Sequence, residues 1–153
     1  MSDVKCARML LDAAERDVAA LRAMCRSDEI SDEIFGFHVQ QAAEKLFKSW
    51  IALLGEVYPL THNIERLFNL LADQGVTVEP FRKLIDYTPY ALEFRYTGVD
   101  SSTEAIDREG TLAIVESLLE QVRRRLAEVE MTGKTNDDGQ DRDPKFGLGT
   151  PEA

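Results

Sequence analysis

The chain has 153 residues, 44% hydrophobic and 30% charged, which suits one soluble globular domain and excludes disorder throughout. Its net charge of -10 argues against unaided binding to a nucleic-acid backbone, since phosphate contacts need Lys and Arg; it leaves room for a small basic cleft, and no DNA partner is expected. No apolar run approaches the roughly 18 residues that a membrane helix needs, and the first residues lack the apolar core of a signal peptide, so a cytoplasmic location is expected.

The first helix is predicted from about Asp3 to Arg26. Val4, Ala7, Leu11, Ala14, Val18, Leu21 and Cys25 alternate spacings of three and four, which makes one sustained apolar stripe. Cys6 and Cys25 are the only cysteines. On one helix their separation is about 28 Å of rise, far beyond disulfide reach, so both are expected as plain thiols of a reducing compartment. Ser27–Asp32 breaks the pattern.

A second helix is predicted from about Asp32 to Leu54, ending at Gly55, a residue suited to a left-handed C-terminal position. It contains the stretch "HVQQAAEKLFKSW", His38–Trp50. Each helical residue advances about 100°. Measured from Phe35, Val39, Ala42, Leu46, Trp50 and Leu53 cluster around one direction as a core stripe. Phe37, Phe47, Ile51 and Leu54 form a second apolar side, between about 100° and 200°. His38, Gln41, Lys45 and Lys48 fill a narrow polar sector near 220–300°, in round figures. A helix apolar on two sides needs two partners. The second is either another copy of the chain, which makes a homodimer the expected state, or the later helices of the same chain.

A shorter third helix is predicted to start near Thr61 as N-cap, with Ile64, Leu67, Phe68 and Leu71 on its apolar face. A fourth begins at Pro80 and carries Phe81, Leu84, Ile85, Tyr87 and Leu92, with a kink or break expected at Pro89. After the loop Thr97–Asp100, Ser101 and Glu104 read as a capping box for the last helix. That helix carries Leu112, Val115, Leu119, Val122, Leu126 and Val129, and Arg123, Arg124 and Arg125 in its C-terminal part complement the helix dipole. Residues 132–153, rich in Gly, Asp and Pro, are expected to be a disordered tail behind a domain spanning 1–131. No stretch shows strand alternation bounded by turns. The expected fold is all-α: an antiparallel up-and-down bundle of four or five helices, three long and two shorter.

The chemistry-bearing residues are few. His38 and His62 are the only histidines, and each is expected as a hydrogen-bonded structural residue, His62 in the first turn of the third helix where the dipole disfavours a proton. No His, Cys and carboxylate cluster has metal-ligand spacing, so neither metal nor cofactor is expected. Gln40 and Gln41 could read a base edge or amide, and Lys45 and Lys48 could meet phosphate; Gln41 and Lys45 read equally as a ligand edge or a solvated face, and Lys48 reads as solvated. Arg95 and Tyr96, in "LEFRYTG", end a helix, where Arg can grip an anion. No phosphate-cradling Gly-rich loop and no nucleophile motif occurs.

Taken in order, "FHVQQAAEKLFKSWIALLG", "LTHNIERL" and "FRYTG" resemble the HEPN domain family over about Val4 to Val129. The resemblance implies a helical bundle, commonly a homodimer. Many prokaryotic members pair with a small nucleotidyltransferase, some as a toxin–antitoxin pair, and the name itself denotes nucleotide binding. It implies His38, Gln41, Lys45, His62, Arg95 and Tyr96 as positions for partner or nucleotide binding. Many members are metal-independent ribonucleases whose motif is Arg, four to six residues, then His. Here Arg95 is followed at that distance by Asp100, Ser101 and Ser102, and no other Arg has a His at that spacing. Without an imidazole, nothing there takes the 2′-hydroxyl proton. The expectation is a non-catalytic protein that forms a homodimer and binds a nucleotidyltransferase, a nucleotide, or both. The alternatives are a degenerate endoribonuclease relying on Arg95 and a ligand-binding sensor.

Overall fold

A computed structural model describes residues 2–91 and 105–137, with side chains through residue 133. Four α-helices and a 3-10 helix follow one another: α1 (Val4–Met24), α2 (Asp32–Leu53), α3 (Ile64–Asp73), the 3-10 helix (Glu79–Ala91) and α4 (Arg108–Asp137). Among the described residues there is no strand, and no helix is long and apolar enough to cross a membrane.

The stripe read from the first helix is the one that packs. Ala7, Leu11, Ala14, Val18 and Leu21 are buried against the core. Asp3 caps α1, its carboxylate accepting from the Cys6 N–H. The two cysteines are free thiols. Three ion pairs join the outer faces of α1 and α4: Arg22 with Glu116, Glu15 with Arg123, and Arg8 with Glu130. Each step advances seven residues on both helices, so the two run antiparallel in steady register. Their exposed charges contribute at most a fraction of a kcal/mol each.

α2 is the central helix and touches every other element. Ser31 caps its start, and Gly55 beyond its end takes φ +79°, the left-handed conformation expected of it. Phe35, Val39, Ala42 and Leu46 are buried on one side; on the other Phe47 and Ile51 are buried while Phe37 and Leu54 are half-buried. The second side is covered within the chain. On that side Phe47 meets Phe68 of α3 edge-to-face with centroids 6.4 Å apart; Trp50, at the edge of the first stripe, meets Phe81 of the 3-10 helix at the same distance. The apolar pattern of α2 therefore does not itself require a second subunit.

Two local expectations are corrected. The N-cap of α3 is Asn63, not Thr61; its side chain accepts from the Arg66 N–H, and the Ile64 N–H is taken by the Thr88 hydroxyl. Thr61 instead accepts from the Asn63 N–H. His62 thus precedes the helix rather than sitting in its first turn. Pro89 does not break the fourth element, which winds through it as a 3-10 helix. A 3-10 helix stacks every third residue. That aligns Phe81, Leu84, Tyr87 and Tyr90 on one face: the first two are buried, and the tyrosine rings stack 5.5 Å apart. α4 runs on to Asp137. The Ser101–Glu104 capping box lies outside the described residues. The start of α4 is held by Asp107, whose carboxylate accepts from the Gly110 N–H.

Candidate functional site

The polar edge of α2 is built around two buried carboxylates, Asp17 and Glu44, whose side chains are 11% and 8% exposed. Asp17 lies within the stripe of α1 and faces α2. His38 Nδ1 stands 3.1 Å from one of its oxygens and Lys45 Nζ 2.5 Å from the other. His38 and Lys45 are seven residues apart, two turns of one helix, so both reach the same carboxylate from one side. Facing a carboxylate, the Nδ1 of His38 carries the proton and donates, which leaves Nε2 as the acceptor.

Glu44 is a second hub. It accepts from Gln40 Nε2 at 2.7 Å, from Lys48 Nζ at 2.7 Å one turn on, and from His62 Nδ1 at 3.0 Å. Gln40 Nε2 also donates to the His62 carbonyl at 3.1 Å, fixing the strand of chain before α3. Burial alone would raise the Glu44 carboxyl; the hydrogen bonds from Lys48, Gln40 and His62 outweigh it and hold the group below its ordinary value of 4.5. Lys48 lies 5.6 Å above the Tyr58 ring. The Tyr58 hydroxyl meets Cys6 Sγ at 3.4 Å, a contact that helps push its ionisation up to about 12.

Gln41 extends the Glu44 hub. Its Nε2 donates to Gln40 Oε1 at 2.7 Å, and Gln40 donates onward to Glu44. The structure thus brings His38, Gln41, Lys45 and His62 into one seam along α2. Its centre is Gln40, read from the sequence as a residue that could meet a base edge or amide, with Glu44, which the sequence reading did not single out. Lys48 is corrected from a solvated lysine to a half-buried partner of Glu44, its side chain 12% exposed. The seam balances: two carboxylates face two ammonium groups, so with neutral histidines no positive charge is left over for a phosphate. Each imidazole meets a carboxylate through Nδ1. Both lysines that could stabilise an anion are committed to those same carboxylates. Among the described residues no three His, Cys, Asp or Glu side chains gather as a metal site.

Removing Asp17 tests the first hub. Asp17→Ala should lower stability by about 1–2 kcal/mol in urea denaturation, a moderate loss because Lys45 retains access to water. Asp17→Asn should recover part of it by accepting from one of the two donors.

Arg95 and Tyr96 lie outside the described residues. The residues flanking them rest on the first turns of α2. Tyr90 packs against Gly36 so closely that a Cβ there would stand 2.3 Å from its ring. The Ile106 N–H donates to Asp32 Oδ2 at 3.1 Å. Arg108 then closes the corner. Its guanidinium donates to Asp32 Oδ1, to the Met24 and Ser27 carbonyls, and to the Ile30 carbonyl at 2.5 Å, and lies over the Phe35 ring. One side chain thereby gathers the end of α1, the α1–α2 connection and the start of α2. In the sequence it was one arginine among many, its partners 76 to 84 positions away.

These features define an all-helical up-and-down bundle whose central helix carries an internally paired polar seam. Comparison with protein families matches residues 7–131 to the HEPN domain, and the chain belongs to the HEPN family. No curated protein and no solved structure matches it.

Proposed function

We propose that this chain is a non-catalytic HEPN protein of the cytoplasm. In this reading it forms a homodimer and binds a nucleotidyltransferase partner, a nucleotide, or both, as one half of a toxin–antitoxin-like pair. The observation that carries the reading is the fate of the two histidines. Each faces a buried carboxylate on the polar seam, and neither follows Arg95 at ribonuclease-motif distance. The partner and the dimer rest on the family resemblance; the net charge of -10 suits a basic partner surface. Since Lys45 and Lys48 are paired internally, a nucleotide phosphate would rely on Arg95, with Tyr96 beside it for a base.

An affinity pull-down of the tagged full chain from its native lysate tests the partner. A nucleotidyltransferase retained in stoichiometric amount, and lost on Arg95→Ala or Tyr96→Ala, is the expected result. Retention of self alone, with no nucleotide affinity by calorimetry, would remove both the partner and the ligand. Sedimentation of the purified chain reads the dimer directly: a monomer at micromolar concentration contradicts it.

A further inference from the structure

The connection from α2 to α3 exposes two large apolar side chains, Val57 at 91% and Leu60 at 97%. It is nevertheless a firmly held segment. The Glu56 N–H donates to the Ile51 carbonyl, the Thr61 N–H to the Pro59 carbonyl, and Gln40 and Glu44 hold His62. Between this segment and the start of α1 opens a hollow of about 490 Å³ lined by Cys6, Ala52, Val57, Tyr58 and Leu60, with Asp3 and Glu56 on its rim. Apolar side chains this exposed on a rigid support mark a surface made to be covered.

The register of α1 and α4 indicates what lies near it. The ladder ends at Arg8 and Glu130. Five residues further along both helices, Asp3 is level with position 135, in the last turn of α4. The chain after Asp137 therefore departs at the end of the bundle where the hollow opens. From there, nine residues to Phe146 span up to about 30 Å, enough to cross the end of a bundle whose helices stand roughly 10 Å apart. Phe146 and Leu148 are the only large apolar residues beyond Asp137. Spaced by two, they fall on one side of an extended chain, and Lys145 precedes them to meet an acidic rim.

We propose that the segment Lys145–Leu148 of the same chain docks in this hollow, with Phe146 and Leu148 covering Val57 and Leu60.

Methyl NMR of the full chain tests this without reference to any partner or nucleotide. Phe146→Asp and a chain ending at Asp137 should shift the Val57 and Leu60 methyl signals by the same amount at every protein concentration, while the methyls of Val18 and Leu119 stay in place. Trypsin cleavage after Lys145 should quicken several-fold in Leu60→Asp, a surface change that leaves the core intact. Unchanged Val57 and Leu60 signals in both tail variants would overturn the proposal. Shifts that fade on dilution would overturn it too, by making a second copy the occupant.

Discussion

Glu44→Ala is expected to lower the stability of the bundle by about 3 kcal/mol, because it leaves the half-buried Lys48 ammonium and the buried Gln40 amide without their shared acceptor. For a domain of this size that is a fall in Tm of roughly 10 °C. The loss comes from the orphaned partners more than from the ion pair itself. The double variant Glu44→Leu with Lys48→Leu should therefore recover a good part of it, since no buried charge then stands alone. The effect also carries a pH signature. The folded Glu44 carboxyl titrates below its ordinary value of 4.5, so the unfolded chain binds its proton first as the pH falls. Its contribution is complete above about pH 5 and is lost as the pH drops below 4.5 through the folded value. The gap between wild type and Glu44→Gln should narrow over that acid window in urea titrations. A gap constant from pH 6 to pH 3 (an illustrative range on the order of the carboxylate window) would show that the charge of Glu44 contributes nothing.

Arg108→Ala should be comparably damaging, again about 3 kcal/mol. Three carbonyls and a carboxylate lose a charged donor at once, and one of them, Met24, belongs to the last turn of α1. Arg108→Lys should rescue little, because a point charge cannot address four acceptors spread around a planar fork. Hydrogen exchange separates this from a general loss. The connection at residues 25–32 should exchange faster in the variant before the α2 core does. Uniform acceleration across the bundle would mean that the corner has no local role.

Much of the fold was legible because the apolar spacings are regular. The stripes of α1 and α2 and the glycine after α2 each pointed to the observed structure. The dimer argument from α2 depended on what covers Phe47, and spacing on α2 cannot say whether that is Phe68 of the same chain or a second subunit. The cap of α3 was misplaced because Thr61 and Asn63 are both good caps, and the choice is settled by the Thr88 hydroxyl, 24 residues later. The 3-10 helix was hidden because Phe81, Leu84 and Ile85 fit a period of 3.6, and the period of 3.0 shows only in Phe81, Leu84, Tyr87 and Tyr90 taken together.

The site was legible at its edge and only in part at its centre. His38, Gln41, Lys45 and His62 do lie on one seam. The signal for its hubs was present in the same helical count. Gln40 and Glu44 fall near 140° and 180°, in round figures, inside the sector of Phe47 and Ile51. A glutamine and a glutamate one turn apart in an otherwise apolar sector must be buried and must satisfy each other, which is what Gln40 Nε2 and Glu44 do. Asp17 gave the same signal on α1, one residue before Val18 of the stripe.

The central claim is that this HEPN bundle binds rather than cleaves. Incubating the purified full chain with labelled RNA in chelator, beside its Arg95→Ala variant, addresses that directly. The account predicts no cleavage by the wild type above the level of the variant. RNA cleavage that is present in the wild type and abolished by Arg95→Ala would contradict it, and would assign proton transfer to a group other than a histidine in the ribonuclease spacing.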